Sequence, residues 1–460
     1  MLVSLVQSPI FGSILDVRLP LHWSSAVEQA THSCFHAPRF LRLARVPSRS
    51  ACVLVNAATQ PSLVSTCVGY RSGSSLNGRS QESTLVATER IEAMNNGLCV
   101  PYQPPTWTEQ LHSQPTKRCK LGLLPTPIQK WNIPDLPKGT ELWIKRDDLT
   151  GMQLSGNKVR KLEFLLADAM DKGCDCVVTI GGIQSNHCRA TTVAARYMGM
   201  ESHLILRNNK VAAEQDPGLV GNLLVERLLG AHIHQVTKQE YQQHGSEALL
   251  QHLTRELLAK GKKPYPIVVG GSDSLGTWGY IQMIQELEEQ MLKGEGPTVL
   301  NDIVMACGSG GTTAGIALGV HLSGLHAKVH AYGVCDSPTY FYNYINGLYN
   351  GLGLSKKIDA KNLLSVIDAK GGGYAISRTE ELDCVLKVAQ NTGIILDPVY
   401  TGKALGGLLH DMRAQPELWE GRKVLFVHTG GLLGMYDKEV QLQPLLEGLG
   451  RSSRLDVSNI

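Results

Sequence analysis

Short apolar runs alternate with stretches of helical periodicity along most of this 460-residue chain. The apolar runs predict eight strands, at residues 143–146, 176–180, 203–206, 233–236, 267–269, 303–306, 329–334 and 424–428. Several of them end in glycine and lead into a helical stretch, which is typical of parallel sheets covered by helices on both faces. The pattern therefore predicts an α/β protein with two doubly wound parallel-sheet lobes and a site at the carboxyl ends of the strands.

The stretch after the first predicted strand predicts a helix that carries Lys158 in its first turn. Apolar residues between Leu162 and Ala169 fall at helical spacing, and Asn157 is a candidate N-cap. The positive end of a helix dipole lowers the pKa of a lysine and orients its amine. Lys158 is therefore a candidate nucleophile or base, with an ordinary solvated lysine as the alternative.

A glycine-rich loop lies between the strand at 303–306 and the next helix. Its backbone N–H groups and hydroxyls predict a phosphate cup. Thr313 replaces the third glycine of a dinucleotide fingerprint, and Ile316 follows Gly315 where a nucleotide P-loop needs lysine. A single phosphomonoester suits the loop best, and a structural turn is the alternative. The candidate residues are Gly308, Ser309, Gly310, Gly311 and Thr312.

Four further turns carry polar side chains. Ser185 and Asn186 begin a predicted helix, where the hydroxyl and N–H groups can hold a carboxylate and the amide can bond a phenolic oxygen. An ordinary helix capped by Ser185 is the alternative. Tyr374 follows three glycines, Tyr400 precedes a late helix, and Thr429 follows the last strand.

These features together predict one cofactor. An amine nucleophile, a monophosphate cup, a partner for a phenolic oxygen and hydroxyls near a ring nitrogen are what pyridoxal 5′-phosphate requires. A dinucleotide-dependent oxidoreductase is disfavoured by the incomplete fingerprint at Thr313.

The net charge of +3 is unevenly distributed. Residues 1–90 hold eight arginines, four acidic residues and no lysine, so they carry +4 and the remainder carries −1. A near-neutral body disfavours nucleic acid as a partner, and no run reaches the ~20 apolar residues of a membrane helix. The eleven cysteines show no paired framework, which predicts free thiols in a reducing compartment and no metal site.

Residues 1–105 predict a leader and linker that are largely disordered. They are rich in Ser, Ala and Arg, and residues 39–45 suit an amphipathic organelle-import segment. We expect a mitochondrial transit peptide, with the plastid as the alternative destination and plain disorder as the alternative interpretation. Residues 106–460 are then the catalytic domain.

Residues 121–434 resemble the pyridoxal-phosphate enzymes of the 1-aminocyclopropane-1-carboxylate (ACC) deaminase and D-cysteine desulfhydrase family. The motifs that carry the resemblance are Lys145-Arg146-Asp147-Asp148 through Glu163, and Ser185-Asn186-His187. They look most like the plant D-cysteine desulfhydrases of that family. The resemblance implies the β-family fold (tryptophan synthase β-like), with a smaller lobe inserted at about residues 161–275, and a homodimer.

The resemblance also implies roles for individual residues. Lys158 matches the lysine that forms a Schiff base with the cofactor, Asn186 the partner of the cofactor O3′, and Ser185 a contact of the substrate carboxylate. The Gly308–Gly315 loop matches the phosphate cup, and Tyr374 and Tyr400 match the two active-site tyrosines.

Two positions set the substrate in this family. ACC deaminases carry Glu and Leu where this chain has Thr401 and Thr429, so the resemblance favours D-cysteine desulfhydrase activity. A neutral partner near the pyridine nitrogen makes the ring a weaker electron sink, which suffices for loss of a thiolate. Either threonine could face that nitrogen. ACC deaminase activity and a non-catalytic pyridoxal-phosphate-binding protein are the alternatives.

Overall fold

The computed structural model describes residues 97–208, 214–354, 358–447, 449 and 453–457. The predicted import segment lies outside these residues. Within them, no helix combines the length and the hydropathy that a bilayer span requires.

The described strands form three sheets. In chain order they are β1 (Cys99–Pro101), β2 (Lys117–Cys119), β3 (Ile128–Lys130), β4 (Glu141–Lys145), β5 (Cys176–Gly182), β6 (Glu201–Asn208), β7 (His232–Thr237), β8 (Pro264–Ile267), β9 (Asp302–Cys307), β10 (Lys328–Gly333), β11 (Ser365–Asp368) and β12 (Lys423–Val427).

From β4 onward, most of the described helices alternate with the strands. They are α1 (Lys158–Asp171), α2 (Asn186–Tyr197), α3 (Asn222–Leu228), α4 (Lys238–Ala259), α5 (Ser274–Leu292), α6 (Gly311–Ser323), α7 (Pro338–Gly351), α8 (Ala360–Leu363), α9 (Thr379–Thr392), α10 (Thr401–Ala414) and α11 (Glu439–Glu447).

The larger sheet has the order β11-β10-β9-β12-β4-β3 and is parallel except for β3 at its edge. Helices cover both faces of this sheet. Strand β9 shows why, because its side chains alternate between two apolar cores. Ile303 and Met305 pack with α5 and α6, whereas Val304 and Ala306 pack with α10.

The smaller sheet is entirely parallel, with the order β7-β6-β5-β8. Val177 on β5 packs toward α1 and α2, and its neighbour Val178 packs toward α4. The chain runs from β5 outward to β7 and then returns to β8 on the other side of β5. Such a reversal opens a crevice at the carboxyl ends of the strands, where parallel sheets bind ligands.

Each predicted strand has an observed counterpart, and the predicted α/β fold is confirmed. The prediction was wrong for residues 268 and 269, because the chain turns after Ile267 and Gly270 adopts a φ of +67°. The apolar pattern gave no signal for β1, β2, β3 and β11, which have only three or four residues each.

The amino-terminal end of the described chain corrects two expectations. Strand β1 lies inside residues 1–105, so part of the predicted linker is folded. Cys99 and Cys119 face each other across β1 and β2 and form a disulfide, so the expectation of free thiols is wrong for this pair. The other described cysteines are free.

Candidate active site

The turn before α1 places Lys158 at the end of β12. Gly156 has a φ of +106°, and a Cβ added there would lie 2.8 Å from the carbonyl oxygen of Thr429. The backbone N–H of Asn157 donates to that oxygen at 3.1 Å. The Asn157 side chain does not cap α1, contrary to the prediction, because its Nδ2 donates to Thr312 Oγ1 at 3.0 Å. One turn thus joins Lys158 to the glycine cup and to β12.

Lys158 has the ionisation expected of a reactive amine. Burial lowers its pKa to about 8, although the neighbouring Cys307 and Asp397 oppose this shift. Burial, rather than the helix dipole named in the sequence analysis, is therefore the main cause. Only a neutral amine can attack a carbonyl or accept a proton, and about one Lys158 in ten is neutral at pH 7.

A buried network of ion pairs holds the first turn of α1 through Arg160. Arg160 donates to both carboxylate oxygens of Asp147, at 2.9 and 2.8 Å, and to Glu286 at 2.9 Å. Lys145 donates to Glu286 at 2.5 Å. Two cations balance two anions here, so the network holds the helix without leaving a buried net charge.

The predicted phosphate cup is the loop from β9 into α6. Ser309 Oγ lies 2.7 Å from Ser272 Oγ, which also accepts the Gly311 N–H at 3.3 Å. A Cβ at Gly311 would lie 2.7 Å from Ser272 Oγ and 2.9 Å from Lys161 Nζ. Because Gly311 has no side chain, the loop can lie close to both Ser272 and Lys161.

Lys161 is a candidate site residue that the sequence pattern did not predict. Its Nζ donates to the Gly270 carbonyl at 3.1 Å and to Ser272 Oγ at 3.0 Å, and no described carboxylate forms an ion pair with it. Burial, and then the charge of Lys158, hold its pKa well below the usual value. A buried amine without a carboxylate partner is suited to a phosphate. The available signal was its spacing of three residues from Lys158, which places both on one helix face.

Ser185 and Asn186 lie at the turn between β5 and α2. Ser185 Oγ accepts the Cys188 N–H at 3.1 Å, so the helix-cap alternative describes this contact, and its O–H can still donate to a ligand. Asn186 Oδ1 accepts from Asn222 Nδ2 at 3.0 Å, which directs Asn186 Nδ2 toward Gly431. Asn222 is fully buried and was missed, because it reaches the site from α3 without any local motif.

Tyr374 and Tyr400 meet above the cup. Their hydroxyl oxygens are 2.6 Å apart, and their rings pack edge to face with centroids 6.0 Å apart. Burial raises the pKa of both phenols, so both are protonated at neutral pH. A Cβ at Gly308 would lie 2.8 Å from the Tyr400 ring, so glycine lets the ring cover the loop.

The two threonines occupy different positions. Thr401 is fully buried, donates to Asp397 Oδ1 at 2.6 Å and accepts the Asp397 N–H at 2.9 Å. These bonds occupy its single O–H in this structure, and the expected contact of Thr401 with the cofactor stays a prediction. The Thr429 hydroxyl has no hydrogen-bond partner among the described residues, and its backbone lies against Gly156. The geometry leaves Thr429 as the threonine that is available to a ligand.

A family model for pyridoxal-phosphate dependent enzymes matches residues 120–430, which contain every site residue discussed above except Gly431. The chain belongs to this family. The predicted pyridoxal 5′-phosphate cofactor is confirmed by this membership.

Individual members of the family place the chain more closely. A mitochondrial bifunctional D-cysteine desulfhydrase and ACC deaminase from Arabidopsis thaliana is 57% identical over 358 residues, covering 78% of this chain and 88% of the relative. A D-cysteine desulfhydrase from Serratia proteamaculans is 35% identical, covering 68% and 92%. The crystal structure of an ACC deaminase homologue, 34% identical, aligns with a TM-score of 0.61 over 75% of this chain and all of that one.

The residues of this pyridoxal-phosphate dependent enzyme fit the cofactor. The buried amine of Lys161 borders this glycine-rich loop and forms no ion pair with a described carboxylate. Lys158 is a lysine of lowered pKa one turn away. An anionic phosphate and a reactive aldehyde satisfy these two amines respectively.

Proposed function

We propose that this protein is a D-cysteine desulfhydrase, which converts D-cysteine to pyruvate, hydrogen sulfide and ammonia. The observation that carries the proposal is the 57% identity to the Arabidopsis bifunctional enzyme, over 88% of that enzyme's length. The low pKa of Lys158, beside a cup suited to phosphate, supports a catalytic rather than a carrier role.

In this proposal the chain holds the cofactor at four points. Lys158 binds it covalently through Nζ, and Lys161 with the cup from Gly308 to Thr312 holds the phosphate. Asn186 Nδ2 bonds the phenolic oxygen, because its Oδ1 is occupied by Asn222. The Thr429 hydroxyl forms a hydrogen bond with the ring nitrogen of the cofactor. When bound, pyridoxal 5′-phosphate supplies an electron sink that stabilises negative charge at the substrate Cα.

The remaining steps belong to the side chains. The Ser185 O–H and the neighbouring N–H groups at the start of α2 hold the substrate carboxylate. The Lys158 amine, released when the substrate amine takes its place on the cofactor, removes the Cα proton. The bond from Cβ to sulfur then breaks, and the Tyr374–Tyr400 pair, which is protonated, donates a proton to the departing sulfide. Addition of water to the remaining carbon skeleton gives pyruvate and ammonia.

ACC deaminase activity is the second candidate. It is supported by the Arabidopsis relative, which is described as a bifunctional D-cysteine desulfhydrase and ACC deaminase. The threonines at 401 and 429 favour D-cysteine by resemblance. We therefore expect ACC turnover to be the minor activity.

A product assay tests both candidates. The protein is supplied separately with D-cysteine, L-cysteine and ACC, and sulfide, pyruvate and 2-oxobutyrate are measured, with Lys158→Ala as the inactive control. Sulfide and pyruvate chiefly from D-cysteine support the proposal. 2-Oxobutyrate from ACC as the main product would overturn it in favour of the deaminase. Absence of turnover with every amino acid would favour a non-catalytic carrier.

We also propose a homodimer and a mitochondrial location. The resemblance supports a homodimer, which light scattering after size exclusion measures directly. The mitochondrial relative and the arginine-rich residues 1–90 support a mitochondrial protein. Imaging of a fusion to residues 1–105 distinguishes the mitochondrion from the plastid.

A further inference from the structure

Three histidines and a glutamate lie together at the amino-terminal ends of β6 and β7. His203 pairs with His232 across the two strands, and Glu201 and His234 project from the same face of the sheet. One possible ligand atom from each of Glu201, His203 and His232 lies within 4.8 Å of the other two. The active site lies at the opposite, carboxyl ends of these strands, about 13 Å away at the usual rise of a strand.

His203 is the central residue of this cluster and its ring is buried, with only 6% exposed. Its Nδ1 lies 3.4 Å from His234 Nε2, within reach of a hydrogen bond. Its Nε2 is buried, has no hydrogen-bond partner among the described residues, and lies 3.7 Å from Glu201 Oε2. A buried nitrogen thus faces a carboxylate oxygen across a gap that is too long for a hydrogen bond.

The hydrogen bond between His203 Nδ1 and His234 leaves the other ring nitrogen of His203 available as a ligand. A neutral ring carries one proton, and with that proton on Nδ1 toward His234 the Nε2 lone pair points at the carboxylate. Two electron-rich atoms then face each other, and a cation between them relieves the repulsion.

The other Glu201 oxygen is held in place. Lys262 Nζ lies 2.7 Å from Glu201 Oε1, which leaves Oε2 directed at His203. Both groups therefore have an outer partner that orients them, His234 for the imidazole and Lys262 for the carboxylate. Outer partners of this kind are typical of metal ligands in proteins.

We propose that Glu201, His203 and His232 bind a divalent transition-metal ion. Two imidazoles and one carboxylate are a ligand set that Zn²⁺ accepts, with water completing a tetrahedral site. His232 now stacks on His203, with ring centroids 4.5 Å apart, so its ring turns to present a nitrogen to the same ion. It is exposed to solvent, so this rotation gives up the stack on His203 and can take place without moving buried side chains.

Titration calorimetry with Zn²⁺ alone, on tag-free enzyme loaded with its cofactor, tests the proposal. One equivalent is expected to bind, and Co²⁺ in its place should give the visible absorption of a tetrahedral site. His232→Asn and His203→Ala should each abolish stoichiometric binding. His234→Gln, which removes only the outer partner, should weaken binding about 10- to 100-fold.

The control is His326→Ala, which removes an exposed histidine in the loop between α6 and β10. It should bind Zn²⁺ as the parent protein does. Equal binding by the parent and by His232→Asn would overturn the proposal, and so would the absence of stoichiometric binding. Because His232 is exposed, its variant stays informative if His203→Ala fails to fold. The readout does not depend on the substrate, so failure here leaves the proposed desulfhydrase activity unaffected.

Discussion

Lys158 and Lys161 lie on one helix face, yet their surroundings differ. Lys158 is half-buried and has no hydrogen-bond partner among the described residues, and its pKa is about 8. Lys161 is buried and is held by Gly270 and Ser272 at the edge of the cup. A reactive amine needs freedom to change partners, whereas an anion-binding amine needs a fixed position. The positions of the two lysines therefore match the two tasks proposed for them.

The rate at which cofactor-free protein captures pyridoxal 5′-phosphate should rise with pH and level off above about pH 8. Only neutral Lys158 reacts, and its pKa is about 8, so the gain from pH 7 to the plateau is about tenfold. Stopped-flow absorbance of the cofactor measures the rate, with Lys172→Ala at the exposed end of α1 as the control. A midpoint near the value of about 10.4 for an exposed lysine would contradict the lowered pKa of Lys158.

Substitutions at the two threonines should have different effects, with Thr401 affecting stability and Thr429 affecting activity. Thr401→Val removes a donor to Asp397 Oδ1 and an acceptor for the Asp397 N–H, and should lower the free energy of unfolding by about 1–3 kcal/mol. Thr429→Val should change that free energy by less than about 0.5 kcal/mol but should lower kcat with D-cysteine. Urea unfolding and steady-state turnover measure the two effects. The reverse pattern, in which Thr429→Val lowers stability and Thr401→Val lowers turnover, would assign the cofactor contact to Thr401.

The sequence predicted candidate site residues where they stand in a local motif. Lys158, the glycine cup, Ser185 and Asn186 each follow a strand and begin a helix, and such turns are visible along the chain. Asn222 and Lys161 were missed because their roles depend on contacts with Asn186 and Ser272, which only the folded chain provides. The bonds that occupy Thr401 depend in the same way on the turn at Asp397.

At the scale of elements, strand β6 connects the substrate turn to the tyrosine pair. The carbonyl of Arg207, near its carboxyl end, accepts the Ile183 N–H at 3.1 Å. The Arg207 guanidinium lies 5.0 Å from the Tyr241 ring centroid and 5.8 Å from that of Tyr374. No described carboxylate pairs with it, and its Nε is buried without a hydrogen bond. Arg207 is thus a positioning residue that places positive charge beside the Tyr374 phenol.

Arg207→Met should lower kcat/KM for D-cysteine about tenfold, because a desolvated cation–π contact contributes about 1–2 kcal/mol. Arg207 lowers the pKa of Tyr374 against the raising effect of burial, so its removal should move the alkaline limb of the pH–rate profile to higher pH. The exposed Arg196→Met is the matched control. An unchanged alkaline limb would mean that the arginine only packs against the ring.

Apolar periodicity predicted the four strands of the smaller sheet and the inner strands of the larger sheet, but not the two edges of the larger sheet. Strands β5, β9 and β12 are buried on both faces, so their apolar runs are continuous and easy to recognise. Edge strands β3 and β11 have partly exposed residues and only one neighbour each, so their sequences carry little pattern. The order of strands in each sheet was not predictable, because it depends on which faces the helices cover.

At the scale of the whole molecule, the site is assembled from the carboxyl ends of both sheets. The smaller sheet contributes the turn at Ser185 and Asn186, and the larger sheet contributes the cup and Thr429. Asp397 and Asn186 both lie beside Gly431, where a Cβ would be 2.7 Å from one and 3.2 Å from the other. A cofactor bound at this place contacts both sheets, so its binding should stabilise the folded protein as a unit.

Cofactor-free protein should therefore unfold at a higher temperature when pyridoxal 5′-phosphate is added, with a gain of about 4 kcal/mol at a thousandfold excess over Kd. Pyridoxal, which lacks the phosphate, should stabilise the protein less. Lys161→Met removes a charge-assisted bond of about 1.5–3 kcal/mol, so it should weaken binding of the phosphorylated cofactor by about 10- to 100-fold. It should leave binding of pyridoxal unchanged. Calorimetric unfolding with each ligand separates the two cases, since an equal loss for both ligands would show that Lys161 supports the fold rather than the phosphate.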